Sequence, residues 1–221
     1  MRSCPICNHN GKRVIMDNYC GTFMINAEVN KVCLFECTQC GHRYLDALHL
    51  SQAWFDEYYL HRYQTDDKDF SDERLASLAD CVASYQPVRV LDIGGMDREL
   101  SSCLYNRNVM ADVAGVGDVD EKIYSAVILS HTLEHIYDVP AMFKRIKAAL
   151  YPGGLLFVEV PVHMDYKEPT AYDYHWQHVN KFRPFDLLLL TGRNGFEYVA
   201  SMPLPDYREY ETWRIVGRLC E

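Results

Sequence analysis

The chain lacks an excess of basic charge: 22 Lys and Arg stand against 31 Asp and Glu, a formal charge of −9 over 221 residues. Proteins that work on nucleic acid usually present a basic face, so nucleic acid is set aside as the main partner. Small molecules or other proteins fit better. Long apolar runs are also missing, and stretches such as Leu187–Leu190 are far too short to cross a bilayer. Residues 1–10 carry Cys, Pro and Asn where a secretory signal needs an apolar core. There are no internal repeats and no low-complexity tract. At 48% hydrophobic residues the composition is globular rather than disordered. The length accommodates one ordinary domain and a small one. Acidic residues crowd at Asp66, Asp67, Asp69, Asp72 and Glu73, which reads as a solvated linker and helix start.

Cysteine is plentiful. Nine cysteines, an odd number in a chain long enough to bury a core, argue for reduced thiols and a cytoplasmic setting rather than a disulfide scaffold. Four of them form two Cys-x-x-Cys pairs, Cys4/Cys7 and Cys37/Cys40, separated by 29 residues. Each pair lets two thiolates reach one tetrahedral ion from a tight turn, and two such knuckles close a Cys4 site. Gly41 suits the turn after the second pair. Short strands are expected between the knuckles at 13–16, 19–25 and 32–36, the pattern of a zinc ribbon. Cys33 and Cys20 remain substitute ligands. A redox role needs a thioredoxin-like βαβ context, which is absent. A closed Cys4 site has no open position, so its zinc is expected to be structural.

Behind the ribbon, residues 51–63 are expected to form a helix whose Trp54, Phe55, Tyr58 and Tyr59 make an aromatic stripe. Residues 71–85 predict a second helix with Leu75, Leu78, Ala79 and Val82 inward, ended by Pro87. From residue 88 strands and helices alternate, the mark of a mostly parallel sheet. Strands are expected at 88–93, 124–130 and 155–160, and helices at 97–108, 139–151 and 184–194. Pro152-Gly153-Gly154 reads as a turn, 109–116 as one further strand, and 196–201 with 212–218 as a closing antiparallel hairpin. The expected organisation is a Cys4 ribbon at 1–50, a helical connector at 51–86 and an α/β domain at 87–221.

Four ordered segments resemble the class I S-adenosylmethionine (SAM) dependent methyltransferases: Val-Leu-Asp-Ile-Gly-Gly (90–95), Ile-Leu-Ser-His-Thr-Leu-Glu-His-Ile (128–136), Leu-Tyr-Pro-Gly-Gly-Leu-Leu (150–156), and 178–196, from His-Val-Asn-Lys-Phe-Arg-Pro to Gly195-Phe196. The front half is similar to the zinc-ribbon segment of a group of sugar C-methyltransferases, and the further C-terminal domain usual in that group is not expected in residues 1–221. The resemblance implies a shortened Rossmann-like fold with SAM as cofactor. Asp92, Gly94 and Gly95 would then line its amino-acid end, Asp118 would face the adenine, and the loop 130–135, from Ser130, would lie beside the transferring methyl group. Two features depart from the family pattern. Met96 and Arg98 stand where the glycine-rich loop repeats its glycines, and only 30 residues, 94–123, separate the two strongest strands. Three helices and two strands there would need about 43 residues.

The reactive groups are expected to be histidines. His131 and His135 flank Glu134, and a neutral imidazole can take a proton near physiological pH. His175 and His178, on the loop after the third strand, would close over a polar substrate. His131-Thr-Leu-Glu-His135 also fits an inverted zinc-peptidase pattern, a reading set aside because the segment follows a buried strand. The expected activity is methyl transfer to a small polar metabolite, a sugar or sugar-linked compound such as a nucleotide sugar. His131 or His135 would be the base and Glu134 the orienting group. The alternative is a degenerate fold that has lost SAM and serves as a zinc-containing scaffold, with the ribbon or the aromatic helix 51–63 docking a protein. RNA modification is disfavoured by the acidic charge.

Overall fold

The computed structural model describes residues 2–19, 32–46, 53, 72–95, 99–119, 124–164, 178–204 and 211–220. The expected helix at 51–63, apart from Ala53, lies outside them, as do Cys20, Met96, Arg98 and His175.

Among the described residues, ten strands make two sheets. The larger holds β4 (Arg89–Ile93), β5 (Met110–Ala114), β6 (Tyr124–Ser130), β7 (Leu150–Pro161), β9 (Phe196–Leu204) and β10 (Thr212–Leu219), ordered β5-β4-β6-β7-β10-β9. Strands β5, β4, β6 and β7 run parallel, while β10 is antiparallel to both β7 and β9. The central strands read as nearly continuous apolar runs because both faces are covered. Alternate residues divide between two cores. Val90, Ala126, Ile128 and Phe157 meet Leu75, Leu78, Ala79 and Val82 of α1 (Asp72–Ser84) and Leu100 and Leu104 of α2 (Glu99–Tyr105). On the opposite face Leu91, Ile93, Val127, Leu129 and Val158 meet Met142, Phe143 and Ile146 of α3 (Val139–Ala149) and Leu187 and Leu190 of α4 (Pro184–Arg193). The Asp138 side chain caps α3 by accepting from the Ala141 amide at 3.0 Å.

The smaller sheet is β1 (Lys12–Tyr19), β2 (Val32–Cys37), β3 (Arg43–Asp46) and β8 (Asn180–Lys181), ordered β1-β2-β3-β8. Its last strand comes from the C-terminal half of the chain. Cys4, Ile6, Phe35 and Tyr44 belong to the same core cluster as Leu91 and Phe143, so the cysteine module and the α/β sheet share a hydrophobic interior.

Two details differ from the sequence reading. The first two strands expected between the knuckles begin as one strand, β1, whose pairing with β2 shifts register after Val14 and Met16. Pro152-Gly153-Gly154 does not separate α3 from β7. It lies inside β7 as an irregularity, where the pairing jumps from Tyr124↔Leu150 to Ala126↔Leu155 and Gly153 takes φ +74°. β7 is therefore longer than expected. The expected strand at 109–116 is β5 at the sheet edge, and among the described residues no strand lies beyond it.

Candidate active site and metal centres

Chain order places β5 and β6 on opposite sides of β4. The strand order thus reverses between β4 and β6, and in open α/β sheets ligands bind beyond the carboxyl ends of the strands at such a point. The expected residues converge there. Gly94 follows β4 with φ +86°, and a Cβ on it would stand 2.6 Å from Thr132 Oγ1. Thr132 Oγ1 in turn donates to the Ile93 carbonyl at 3.1 Å. A Cβ on Gly95 would meet Asp92 Oδ2 at 2.0 Å. The missing side chains at 94 and 95 leave bare backbone beside a buried carboxylate, the kind of close approach a cofactor's polar end requires. Asp118 sits beside the turn after β5, its Oδ2 3.0 Å from where a Gly115 Cβ would be.

The loop after β6 begins with His131 in the left-handed region, φ +47°. That conformation costs a residue with a Cβ about 1–2 kcal/mol. Its amide donates to the Glu159 carbonyl at 2.8 Å. A 3-10 turn, Leu133–His135, follows. With His131 outside that three-residue turn, His131 and His135 do not lie along a helix face, and the peptidase pattern loses the helix it needs. Glu134 Oε1 instead lies between the two rings, 3.7 Å from His131 Nδ1 and 3.7 Å from His135 Nε2. Burial pushes the Glu134 carboxyl up to about 8, with Arg74 pulling it down and Glu159 pushing it further up. His178, immediately before β8, packs edge-on against His135 with ring centroids 4.7 Å apart. Asn180 fixes this arrangement by donating from Nδ2 to the Leu133 and Ile136 carbonyls at 3.2 and 2.8 Å.

The sequence reading missed a buried charge network under the loop. Glu159 stands directly across from Ser130 on β6 and Arg214 on β10. It accepts from Arg74 of α1 and, through Oε2, from Arg214 Nε at 2.9 Å, and Arg74 also donates to Ser130 Oγ at 2.8 Å. Ser130, expected beside the cofactor, is thus engaged from the α1 side. A signal was present: a carboxylate inside the apolar run Leu155–Val160 needs a cationic partner.

At the cysteine module all four sulfurs lie within 4.8 Å of one another, with Cys4–Cys40 at 3.6 Å and Cys7–Cys37 at 3.5 Å. Four thiolates about 2.3 Å from one zinc ion would stand about 3.8 Å apart, so the donor set fits that ion. The four sulfurs crowd one another: the hydrogen bond from Cys4 pulls the Cys40 thiol down, while burial pushes the Cys7 thiol up. The knuckles match in backbone. Asn8 (φ 58°) follows Cys7 as Gly41 (φ 73°) follows Cys40, and the amides of Asn8 and Gly41 donate to the carbonyls of Cys4 and Cys37 at 2.9 Å. Cys33 lies in β2, outside the cluster.

Residues 55–201 match the family described as a methyltransferase domain. The chain belongs to this family, the methyltransferase domains. No curated protein matches it by sequence. Among solved structures, the 1,6-didemethyltoxoflavin N1-methyltransferase of Burkholderia thailandensis, with 1,6-didemethyltoxoflavin and S-adenosylhomocysteine (SAH) bound, superposes with a TM-score of 0.63 at 15% identity, covering 83% of this chain and 98% of that one. The N-methyltransferase NodS of Bradyrhizobium japonicum in complex with SAH gives 0.51 at 16% identity, covering 75% and 99%. A SAM-dependent methyltransferase of Archaeoglobus fulgidus gives 0.51 at 13%, covering 73% and 99%. The likeness is one of fold. Among the described residues, no helix of this methyltransferase is long and apolar enough to cross a membrane.

Proposed function

We propose that the chain transfers a methyl group from SAM to a small polar acceptor, a sugar or sugar-linked compound such as a nucleotide sugar, with histidine as general base. The observation that carries the reading is the meeting, at one reversal of strand order, of the bare backbone at Gly94-Gly95 with the loop holding His131, Glu134 and His135. Asp92, Gly94 and Gly95 would hold the amino-acid end of the cofactor and Asp118 its adenine end, with the loop from Ser130 beside the methyl group. The bound cofactor supplies an electrophilic methyl on a sulfonium, which departs as a neutral thioether.

The chain's own task is to align the acceptor and accept its proton. His131 and His135 suit that role because both imidazoles flank Glu134 within ion-pair reach and each side chain keeps about 15% of its surface exposed. His178 packs on His135 and steadies its ring. A role for His175 is carried from the sequence alone. The Cys4 module would hold structural zinc, its ligands Cys4, Cys7, Cys37 and Cys40 leaving no open position. The segments 1–50, 51–86 and 87–221 would be its functional units, the first offering a surface for a protein partner.

The test is transfer of labelled methyl from SAM to a panel of sugars, nucleotide sugars and unrelated amines and phenols. Label on a sugar hydroxyl, amine or carbon supports the reading. Label confined to the unrelated acceptors removes the sugar assignment. His131→Asn keeps a residue that tolerates the left-handed backbone. It is expected to lower kcat by about 10²–10⁴-fold, the usual worth of a general base, and to flatten the acidic limb of the pH profile.

A further inference from the structure

We propose that Glu134, His135 and His178 form a second metal site, separate from the four cysteines, which holds a divalent cation against the acceptor. What the cation does rests on the methyltransferase reading, whereas its site rests on geometry. The three side chains bring one ligand atom each to within 4.8 Å of the others. Two come from the 3-10 turn after β6 and one from the entry to β8, and Asn180 locks those segments together through the Leu133 and Ile136 carbonyls. Glu134 is 1% exposed, and neither of its carboxylate oxygens has a hydrogen-bond partner among the described residues.

Leaving a buried carboxylate in that condition is costly, and a cation removes the cost. At 3.7 Å, Glu134 Oε1 and His135 Nε2 are too far apart for a good hydrogen bond. They are close to the separation of about 3.0–3.4 Å that two donors take on one ion at about 2.1 Å. Two imidazoles and one carboxylate are the donor set of open iron, manganese and zinc sites. Three protein ligands leave open positions, in contrast to the closed Cys4 site.

Those positions favour an acceptor with two adjacent oxygens, such as a vicinal diol or hydroxy-carbonyl group. A hydroxyl on the cation loses its proton more readily. His131, which is not one of the three ligands, takes that proton. The hydroxyl oxygen then bonds to the methyl carbon as the carbon–sulfur bond breaks and the electron pair stays on the departing thioether sulfur.

Manganese discriminates the two centres, because thiolate sites select softer ions. Titration of the full, zinc-loaded chain with Mn²⁺, followed by electron paramagnetic resonance, is expected to show one manganese bound per chain. Glu134→Gln and His178→Ala should each weaken it at least 10-fold while zinc content and SAH affinity stay within a few-fold of wild type. Absence of saturable Mn²⁺ binding to the wild-type chain would overturn the site, and that result does not depend on the variants folding. Undiminished binding in both variants would also overturn it. Bound manganese without SAH binding would leave the metal site standing and remove the methyltransferase role. SAH binding without manganese would do the reverse.

Discussion

Gly94 and Gly95 differ in what a side chain would meet. On sequence alone Gly94→Val is expected to block the cofactor and spare the fold. The structure corrects that expectation, because a Cβ at 94 collides with Thr132 in a backbone with φ +86°, so the substitution strains the β4–β6 junction itself. Gly95 is the cleaner position. Its Cβ meets the end of the Asp92 side chain rather than backbone, and Gly95→Ala should turn that carboxylate aside. The expected outcome is at least a 10-fold loss of SAH affinity by calorimetry with a melting temperature within a few degrees of wild type. Unchanged affinity would move the cofactor's amino-acid end elsewhere.

Elements meet at the charge network under the site's loop. Arg74 on α1, Glu159 on β7 and Arg214 on β10 are each at most 3% exposed, and the one Glu159 carboxylate is shared by both buried guanidiniums. Removing one partner of a buried pair typically costs about 3–5 kcal/mol because the other charge stays behind. Glu159→Gln should destabilise by that amount in urea unfolding, and a loss under 1 kcal/mol would mean the arginines find water or another anion. Much of this level was legible in the sequence. Short apolar runs mark β4 and β6, and the inward positions 75, 78, 79 and 82 of α1 are all buried. The Arg74–Glu159–Arg214 contact was not, because it joins three elements separated by 55 to 85 positions, and no local periodicity reports such a meeting. The Pro152-Gly153-Gly154 stretch misled for the opposite reason. Its local chemistry says turn, and pairing with β6 on either side of it, at Leu150 and again from Leu155, absorbs that chemistry as an irregularity within β7.

At the scale of the molecule the cysteine module is tied to the site through a short chain of contacts. Arg2, two residues before Cys4, donates to the Leu45 and Val179 carbonyls at 3.0 and 2.9 Å and to Asn180 Oδ1 at 3.1 Å. Asn180 in turn holds the turn carrying Glu134 and His135. His42 pairs with Asp186 of α4 at 3.2 Å, and Arg183 donates to the Cys40 carbonyl at 3.0 Å. The sequence located the four cysteines but gave no sign that β8 completes their sheet, since Asn180 and Lys181 make only a two-residue strand. Cys37→Ser should therefore lower zinc content and also speed hydrogen exchange in the 133–136 turn. Exchange confined to residues 2–46 would show that the module folds independently of the site.

The same junction gives a pH dependence. Burial pushes the Asp46 carboxyl up, but hydrogen bonds from Lys12 and Tyr137 and the nearby charges outweigh it and hold it below the ordinary value. Its stabilising contribution is present above the unfolded carboxylate pKa near about 4 and is lost as pH falls through the lower folded value. Asp46→Asn should lower the urea midpoint at pH 7 and narrow its fall between pH 5 and 3. A parallel fall in both proteins would assign the acid sensitivity elsewhere, the cysteine site first.

The central claim is that the reversal point between β4 and β6 binds SAM, although the sheet has no described strand beyond β5. Calorimetric titration of the zinc-loaded chain with SAH measures that most directly. The account predicts a single site with micromolar affinity, weakened by Gly95→Ala. No heat and no thermal shift in well-folded protein would contradict it, leaving a methyltransferase fold that has given up its cofactor and works as a scaffold.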